Sequence, residues 1–278
     1  MKRMIDMLLR KKIYDGEKPL VMGILNVTPD SFYDGGRYLS DEAVVSRARA
    51  IVAEGADIID IGAVSTRPGA AMPDEAAELQ RLLPVLRLVR SEFPETPVSI
   101  DTFRAGVAER CVEAGADIIN DISGGLFDDA MLSAVAHLQV PYVLMHNRTT
   151  PDRMAHDTHY DDVVAEVIRF LSEKLDILYR LGAKDVVIDP GFGFAKTLEQ
   201  NYELMQNLDA FAVFDEPLLV GISRKSMIYK LLGNSPDDAL NGTTALNTYA
   251  LLHGAKVLRV HDVKEAVQCV KIVSQLKK

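Results

Sequence analysis

The chain has 278 residues, of which 31 are Lys or Arg and 40 are Asp or Glu, so its formal net charge at pH 7 is −9. Hydrophobic residues make up 48% of the chain and charged residues 26%. This mix is typical of a globular protein with a sizeable core and excludes global disorder. The acidic balance argues against binding to a nucleic-acid backbone, which needs an excess of Lys and Arg. A small anionic substrate is not excluded, because a few local basic groups can bind one.

The two cysteines, Cys111 and Cys269, lie far apart in stretches with helical patterns. Two isolated cysteines form neither a disulfide framework nor a zinc site, and they favour a reduced setting. The first residues, MKRMIDMLLRKK, contain a short apolar run that Asp6 interrupts, and they lack the core and cleavage site of a signal peptide. No apolar run approaches the ~18 residues of a membrane span. The sequence therefore predicts a soluble, cytoplasmic protein.

Short β-rich apolar runs recur along the chain and are separated by helical patterns. Most of the runs are continuous rather than alternating, which suits parallel strands that are buried on both faces. In the first helical pattern Ser40 is the predicted N-cap, and Val44, Ala48 and Ile51 share one face. The predicted strands are 21–27, 57–62, 98–102, 117–123, 141–146, 185–190, 217–223 and 257–262.

A weak internal repeat supports this pattern, because the dipeptide Gly-Ala comes before a predicted strand four times. Each glycine stands where a helix must end in a left-handed residue before the chain turns into the next strand. The four copies begin at Gly55, Gly115, Gly182 and Gly254.

Eight strand–helix units in one chain of this length predict a TIM (β/α)8 barrel of the α/β class, formed as a single domain by residues 21–278. The alternative is an open doubly wound sheet, which is disfavoured because no G-x-G-x-x-G follows the first strand. Residues 1–20 fall outside the repeat, and we predict that they cover the bottom of the barrel.

The chemistry of such a barrel lies at the carboxyl ends of its strands, and all eight predicted strand ends carry polar residues. Asp101, Asn120 and Asp189 would place acceptors in an apolar mouth, where buried carboxylates need donors. A flat heterocycle with an amino-pyrimidinone edge supplies paired N–H groups, and neighbouring Met and Phe side chains could cover its faces. These side chains are Met145, Phe192 and Phe194.

A second group of residues suits phosphate oxygens, because it combines cationic side chains with hydroxyl and imidazole donors. The group consists of Thr66, Arg67, Lys225, Arg259 and His261. An apolar slot that contains acids and lies beside an anion site fits a heterocycle that carries a phosphate or a diphosphate.

The same residues also have purely structural interpretations. Asp101 and Asp189 could cap the helices that follow their strands, and His146 and His261 could be hydrogen-bonded residues of the barrel. Asp121 follows Asn120 and points to the opposite face of the strand, so we assign Asp121 to a structural partner. The eight strand ends taken together favour the functional interpretation. A barrel with a purely structural role is not expected to carry suitable polar groups at every strand end.

Seven segments of the sequence resemble the dihydropteroate synthase family, the folate-pathway enzymes inhibited by sulfonamides. The segments are GILNVTPDSF (23–32), STRPG (65–69), SIDT (99–102), INDISGG (119–125), DPGFGF (189–194), GISRKS (221–226) and RVHD (259–262). They follow the family's order and span nearly the whole chain. The resemblance implies a TIM barrel that condenses 6-hydroxymethyl-7,8-dihydropterin diphosphate with para-aminobenzoate to give 7,8-dihydropteroate and diphosphate. It also implies Mg2+ as cofactor and a homodimer as the assembly.

The resemblance further implies roles for individual residues. The pterin would be held by Asp101, Asn120, Asp189, Lys225, Met145 and Phe194. The diphosphate would be held by Asn26, Thr66, Arg67, Arg259 and His261, with Asn26 also binding the metal. The para-aminobenzoate pocket would be lined by Phe32, Pro68 and Ser226. The catalytic group would be Lys225, Arg67, Asp30 and Asp34.

The sequence departs from the family at two places. Residues 62–65 read GAVS, where many members have an acid and a second glycine before the serine, so any role of that acid is not transferred. Residues 145–148 read MHNR in place of the commoner Met-His-Met, and only Met145 is transferred.

Three other functions compete with the synthase. A pterin-binding methyltransferase that takes a methyl group from methyltetrahydrofolate would share the acids, but it needs no diphosphate site, so Arg67 and Arg259 argue against it. A non-catalytic pterin-binding paralogue would be expected to have lost Lys225 or the first loop, and both are intact. An aldolase on the same fold would use a Schiff-base lysine and would leave the acids unexplained.

Overall fold

The computed structural model describes residues 7–9, 12–14, 18–27, 41–64, 72–150, 153 and 156–276. Its strands are β1 (Met7–Leu9), β2 (Lys12–Tyr14), β3 (Leu20–Asn26), β4 (Ile58–Gly62), β5 (Val98–Asp101), β6 (Ile118–Asp121), β7 (Tyr142–Met145), β8 (Val186–Asp189), β9 (Leu218–Val220) and β10 (Ala255–Val260). Strands β3 to β10 close a parallel barrel in sequence order, with β10 pairing with both β9 and β3. Strands β1 and β2 form a separate antiparallel pair.

Helices follow every barrel strand and cover the outside of the barrel. They are α1 (Asp41–Ala53), α2 (Glu75–Glu92), α3 (Ala105–Glu113), α4 (Met131–Leu138), α5 (Val163–Leu181), α6 (Leu198–Gln206), α7 (Ser226–Leu232), α8 (Leu240–Leu252) and α9 (Val263–Leu276). Strand β9 is followed by two of them, α7 and α8. The predicted single-domain TIM (β/α)8 barrel is confirmed.

The apolar runs of the strands form two layers of core. One face of each strand points into the barrel, where eight buried side chains from Leu20 to Val257 form one cluster. The other face packs against the helices in a second, larger cluster. This burial on both faces explains why the strands read as continuous apolar runs. Tyr14 of β2 packs against the interior cluster, but the covering of the barrel bottom by residues 1–20 stays a prediction.

The predicted turns into the strands are confirmed at all four Gly-Ala sites. The backbone φ angles of Gly55, Gly115, Gly182 and Gly254 are 100°, 102°, 93° and 99°, in the region that glycine adopts without a steric penalty. Val44, Ala48 and Ile51 are buried on α1 as predicted, whereas the predicted cap Ser40 lies outside the described residues. The described part of the chain contains no helix long and apolar enough to cross a bilayer.

Strand β6 ends at Asp121, two residues before its predicted end, because the carboxylate of Asp121 turns the chain out of the sheet. This carboxylate accepts hydrogen bonds from the backbone N–H groups of Ser123 (2.7 Å) and Gly125 (2.8 Å) and from the hydroxyl of Tyr142 (2.7 Å). Burial raises the pKa of Asp121, and these hydrogen bonds oppose the increase. Asp121 therefore has structural partners, as predicted.

We expect Asp121→Ala to lower the free energy of unfolding by about 3 kcal/mol, because it leaves three buried donors without an acceptor. Tyr142→Phe, which removes one of these donors, should cost about 1 kcal/mol. Urea unfolding of both variants measures the two changes. Equal stability of Asp121→Ala and the unaltered chain would contradict the structural role.

Candidate active site

The parallel barrel brings the carboxyl ends of its strands to one end, where most of the described candidate residues lie. Asp101, the last residue of β5, pairs in register with Asn120 of β6. Met145, the last residue of β7, pairs with Asp189 of β8. These register pairs place four of the six residues proposed for the heterocycle on four consecutive strands.

A guanidinium group joins two carboxylates across this mouth. Arg259 of β10 donates from Nε to Asp60 Oδ2 (2.7 Å) and from Nη2 to Asp101 Oδ2 (2.5 Å). Burial alone would lower the pKa of Arg259, but Asp60 and Asp101 raise it above its ordinary value. Burial raises the pKa of Asp101, and the neighbouring Arg259 opposes this. The residue predicted to bind diphosphate thus contacts a residue predicted to bind the heterocycle.

Asp60 was not identified from the sequence, although it lies at the centre of this cluster. Its side chain is fully buried in β4, and its Oδ2 also accepts a hydrogen bond from Asn120 Nδ2 (3.2 Å). Its Oδ1 has no hydrogen-bond partner among the described residues. Because Asn120 donates from its amide nitrogen to Asp60, its side-chain oxygen stays available to another donor. The signal that could have revealed Asp60 is a single acid inside the apolar strand IIDIG.

Asp189 at the end of β8 and Lys225 just before α7 lie together at the barrel mouth. Asp189 accepts a hydrogen bond at Oδ1 from the backbone N–H of Gly191 (2.8 Å). Burial raises the pKa of Asp189, and Lys225 opposes the increase. Burial lowers the pKa of Lys225 to about 8, although Asp189 raises it. The Nζ atom of Lys225 lies 4.5 Å from the ring centroid of Phe194, so the acid, the amine and the ring share one corner of the mouth.

Apolar side chains form a wall beside these polar groups. The buried members of this cluster are Phe103, Ile122 and Met145, and the half-buried members are Val64, Phe127 and Phe194. Met145 and Phe194 were predicted for this wall, whereas Phe103 and Ile122 were missed although each follows a strand directly or closely. The prediction for Phe192 was wrong, because its ring is fully buried in the layer between strands and helices. Gly191 and Gly193, both with positive φ, turn the chain so that the two phenylalanines point into different layers.

The turns after β9 and β10 carry the remaining described candidates. Arg224, at φ 55°, pairs with Asp262 through Nη2 (2.6 Å), and the backbone N–H of His261 donates to Ser223 Oγ (3.1 Å). Burial lowers the pKa of His261 to about 4, and Arg259 contributes to the decrease. His261 is therefore a neutral imidazole at pH 7. Ser226, the first residue of α7, is half-buried.

Six of the predicted site residues lie outside the described residues. They are Asp30, Phe32, Asp34, Thr66, Arg67 and Pro68. Asn26 is the last residue of β3 and is half-buried. No group of three or more His, Cys, Asp or Glu side chains that could hold a metal occurs within the described part of the chain.

Comparison with known proteins identifies the family. The family model described as "Pterin binding enzyme" matches residues 22–261. Dihydropteroate synthase from Escherichia coli (strain K12) is 45% identical over 93% of this chain and 92% of its own length, and that from Synechocystis sp. is 43% identical over 94% and 91%. The chain belongs to the dihydropteroate synthase family.

Solved structures of dihydropteroate synthases have the same fold. The Yersinia pestis enzyme in a sulfonamide drug complex matches with a TM-score of 0.91 and 40% identity over 98% of both chains. The Xanthomonas albilineans enzyme with 4-aminobenzoic acid matches with a TM-score of 0.88 and 40% identity over 96% of both chains. As a dihydropteroate synthase this chain is a transferase, and the methyltransferase and aldolase alternatives receive no support from these relatives.

Proposed function

We infer that this chain condenses 6-hydroxymethyl-7,8-dihydropterin diphosphate with para-aminobenzoate, releasing diphosphate and 7,8-dihydropteroate. The observation that carries this proposal is the contact between Arg259 and Asp101. The substrate bears its diphosphate on a methylene group attached to the pterin ring. An anion-binding guanidinium must therefore lie directly beside a ring-binding carboxylate, as these two side chains do.

The proposed ring site combines acceptors with an apolar wall. Asp101, Asn120 and Asp189 accept hydrogen bonds from the N–H groups of the pterin, and Met145 and Phe194 cover its faces. Asn120 suits this role because Asp60 holds its amide nitrogen and leaves its oxygen for the ligand. Asp189 keeps acceptor capacity beyond the bond from Gly191.

The proposed reaction begins with departure of the leaving group. The C–O bond between the methylene carbon and the diphosphate breaks, and the electron-rich pterin stabilises the cation that remains. Arg259, His261 and Arg67 stabilise the charge that develops on the diphosphate. Asn26 and Thr66 complete the anion site, while Asp101 and Asp189 favour the positive charge on the ring.

In the second half of the reaction the para-aminobenzoate must be positioned correctly, and its amine needs little chemical activation. The aniline nitrogen of para-aminobenzoate forms the new C–N bond and then loses a proton, which the released diphosphate accepts. We assign Phe32, Pro68 and Ser226 to holding this substrate beside Lys225 of the pterin site, and Asp30 and Asp34 to the catalytic group with Lys225 and Arg67. The reaction also requires that water be kept from the reacting centre, because water would otherwise capture the cation.

Mg2+ is the proposed cofactor, and the chemistry of the donors fits it. Mg2+ in phosphate-transfer sites binds one or two protein oxygens and takes its other ligands from water and substrate phosphates. Asn26 offers such an oxygen at the end of β3, and no larger protein cage is needed. When bound, the ion would supply positive charge to the diphosphate oxygens.

The function is tested by measuring diphosphate release from the dihydropterin diphosphate, with and without para-aminobenzoate and Mg2+. We expect release to require both additions and to yield an equal amount of dihydropteroate. Diphosphate release that yields no dihydropteroate, even with para-aminobenzoate present, would contradict the synthase reaction. Pterin binding without any turnover would favour the non-catalytic paralogue.

The pKa of Lys225 predicts the alkaline limb of the pH profile. The amine is protonated below its pKa of about 8 and loses its charge above it, so a cationic role is present at neutral pH and lost as the pH rises. We expect kcat/KM to fall by about tenfold per pH unit above that pKa. In Lys225→Arg the limb should move to higher pH, because guanidinium stays charged. A limb that does not move would assign it to another group.

We also propose a homodimer and a cytoplasmic location. The outer helices expose large apolar side chains that a second copy could cover, since exposed apolar patches commonly mark interfaces. These side chains are Leu231 and Leu232 on α7, Leu240 and Leu252 on α8, and Ile272 and Leu276 on α9. Sedimentation should give twice the mass of one chain. The two cysteines, both buried and free, fit a reducing compartment.

A further inference from the structure

A lysine without an assigned role holds the loop between β8 and α6. The side chain of Lys196 is 9% exposed. Its Nζ donates to the carbonyl oxygens of Gly191 (2.9 Å) and Phe194 (3.1 Å) and lies 2.9 Å from Nδ1 of His146. An ammonium group has three donors and no acceptor, so these contacts use all of its hydrogen-bonding capacity.

His146 accepts from this lysine and links it to the neighbouring strand. Burial lowers the pKa of Lys196 to about 7. In its ammonium form the lysine only donates, so Nδ1 of His146 then accepts and the ring proton lies on Nε2. Burial lowers the pKa of His146 well below its ordinary value, and Lys196 lowers it further, so the imidazole is neutral. His146 directly follows β7, and its backbone N–H donates to the carbonyl of Asp189 (2.9 Å). The pair therefore ties the end of β7 to the loop after β8.

The loop needs such support because its backbone turns sharply at two glycines and is strained at Ala195. Gly191, Gly193 and Ala195 have φ angles of 72°, 79° and 47°, and a left-handed alanine costs about 1 kcal/mol. A Cβ atom on Gly191 would lie 2.1 Å from the carbonyl oxygen of His146, so the loop packs directly on the preceding turn. Its carbonyl groups turn toward Lys196, whose hydrogen bonds offset the strain.

We propose that Lys196 is a positioning residue for the pterin site, holding the β8–α6 loop so that Asp189 and Phe194 face the substrate. The same loop gives Asp189 its hydrogen bond from the Gly191 N–H (2.8 Å) and places the Phe194 ring 4.5 Å from Lys225 Nζ. Lys196 itself does not touch the substrate. This inference rests on the proposed function, because it concerns the pterin half of that site.

The test uses Lys196→Met, which keeps most of the side-chain volume and removes all three donors. We expect the Kd for 6-hydroxymethyl-7,8-dihydropterin, measured by calorimetry, to rise by about 10- to 100-fold. The KM for its diphosphate should rise similarly, while the KM for para-aminobenzoate changes by less than about threefold. Lys184→Met is the matched control, because Lys184 is exposed just before the same strand, and it should change none of these values.

A second variant keeps the lysine and removes one acceptor. His146→Ala should raise the pterin Kd by about threefold to tenfold. In the double variant the loss should equal that of Lys196→Met alone, because the bond between the two side chains is already absent. If Lys196→Met does not fold, His146→Ala carries the test.

Two results would overturn the proposal. One is a pterin Kd equal to that of the unaltered chain in folded Lys196→Met, or in His146→Ala where the lysine variant does not fold. The other is an equal loss for both substrates together with a lower Tm, which would indicate general damage. Failure of the proposed function would give a different result, because the unaltered chain would then form no dihydropteroate. Pterin binding by the unaltered chain and by Lys196→Met could still be compared in that case.

Discussion

Arg259→Ala is expected to lower kcat by about 1000-fold, because it removes the guanidinium that stabilises the departing diphosphate. It should also lower the free energy of unfolding by about 3–5 kcal/mol. The reason is that Arg259 pairs with the buried Asp60 and with Asp101, and its loss leaves both charges without a partner. Steady-state kinetics and urea unfolding measure the two effects.

A double variant separates the catalytic role of Arg259 from its structural role. Arg259→Met with Asp60→Asn removes the guanidinium and one of the charges that it neutralises. We expect this variant to recover most of the lost stability while turnover stays low. Recovery of turnover together with stability would mean that Arg259 serves the fold alone, and the assignment of a diphosphate site would fail.

Asp189→Asn is expected to weaken binding of 6-hydroxymethyl-7,8-dihydropterin by about 100-fold, because the pterin loses a charged acceptor in a buried site. The variant should remain folded. An asparagine oxygen can still accept the hydrogen bond from Gly191, and the substitution removes a carboxyl whose pKa burial has raised. Calorimetry gives the affinity, and a thermal melt gives the stability.

Asp121→Asn provides the matched control for this experiment. Asp121 is another buried barrel acid, but it accepts three hydrogen bonds from the protein, whereas Asp189 accepts one, from Gly191. We expect Asp121→Asn to lower Tm and to change the pterin affinity by less than about threefold. If Asp189→Asn instead lowers Tm and leaves pterin affinity unchanged, Asp189 is a structural cap.

Much of the candidate site was predictable because its residues stand at strand ends. A strand end is marked locally, by an apolar run followed by a polar residue. Asp101 and Asp189 are such polar residues, and Met145 is the last apolar residue before the polar His146. Asp60 does not, because it lies within its strand. Phe192 was predicted for the wrong layer, because the turns made by its neighbouring glycines depend on backbone angles that the apolar pattern does not encode.

The sequence by itself determined the barrel, the direction of its strands and the family. These follow from local features, namely continuous apolar runs, helices that end at Gly55 and its counterparts, and motifs in a fixed order. The tertiary structure decided which charges meet. Asp60 and Arg259 are 199 residues apart in the chain, and they meet because β10 closes the barrel against β3, next to β4. The pairing of β7 with β8 in the sheet likewise places Lys196 against His146.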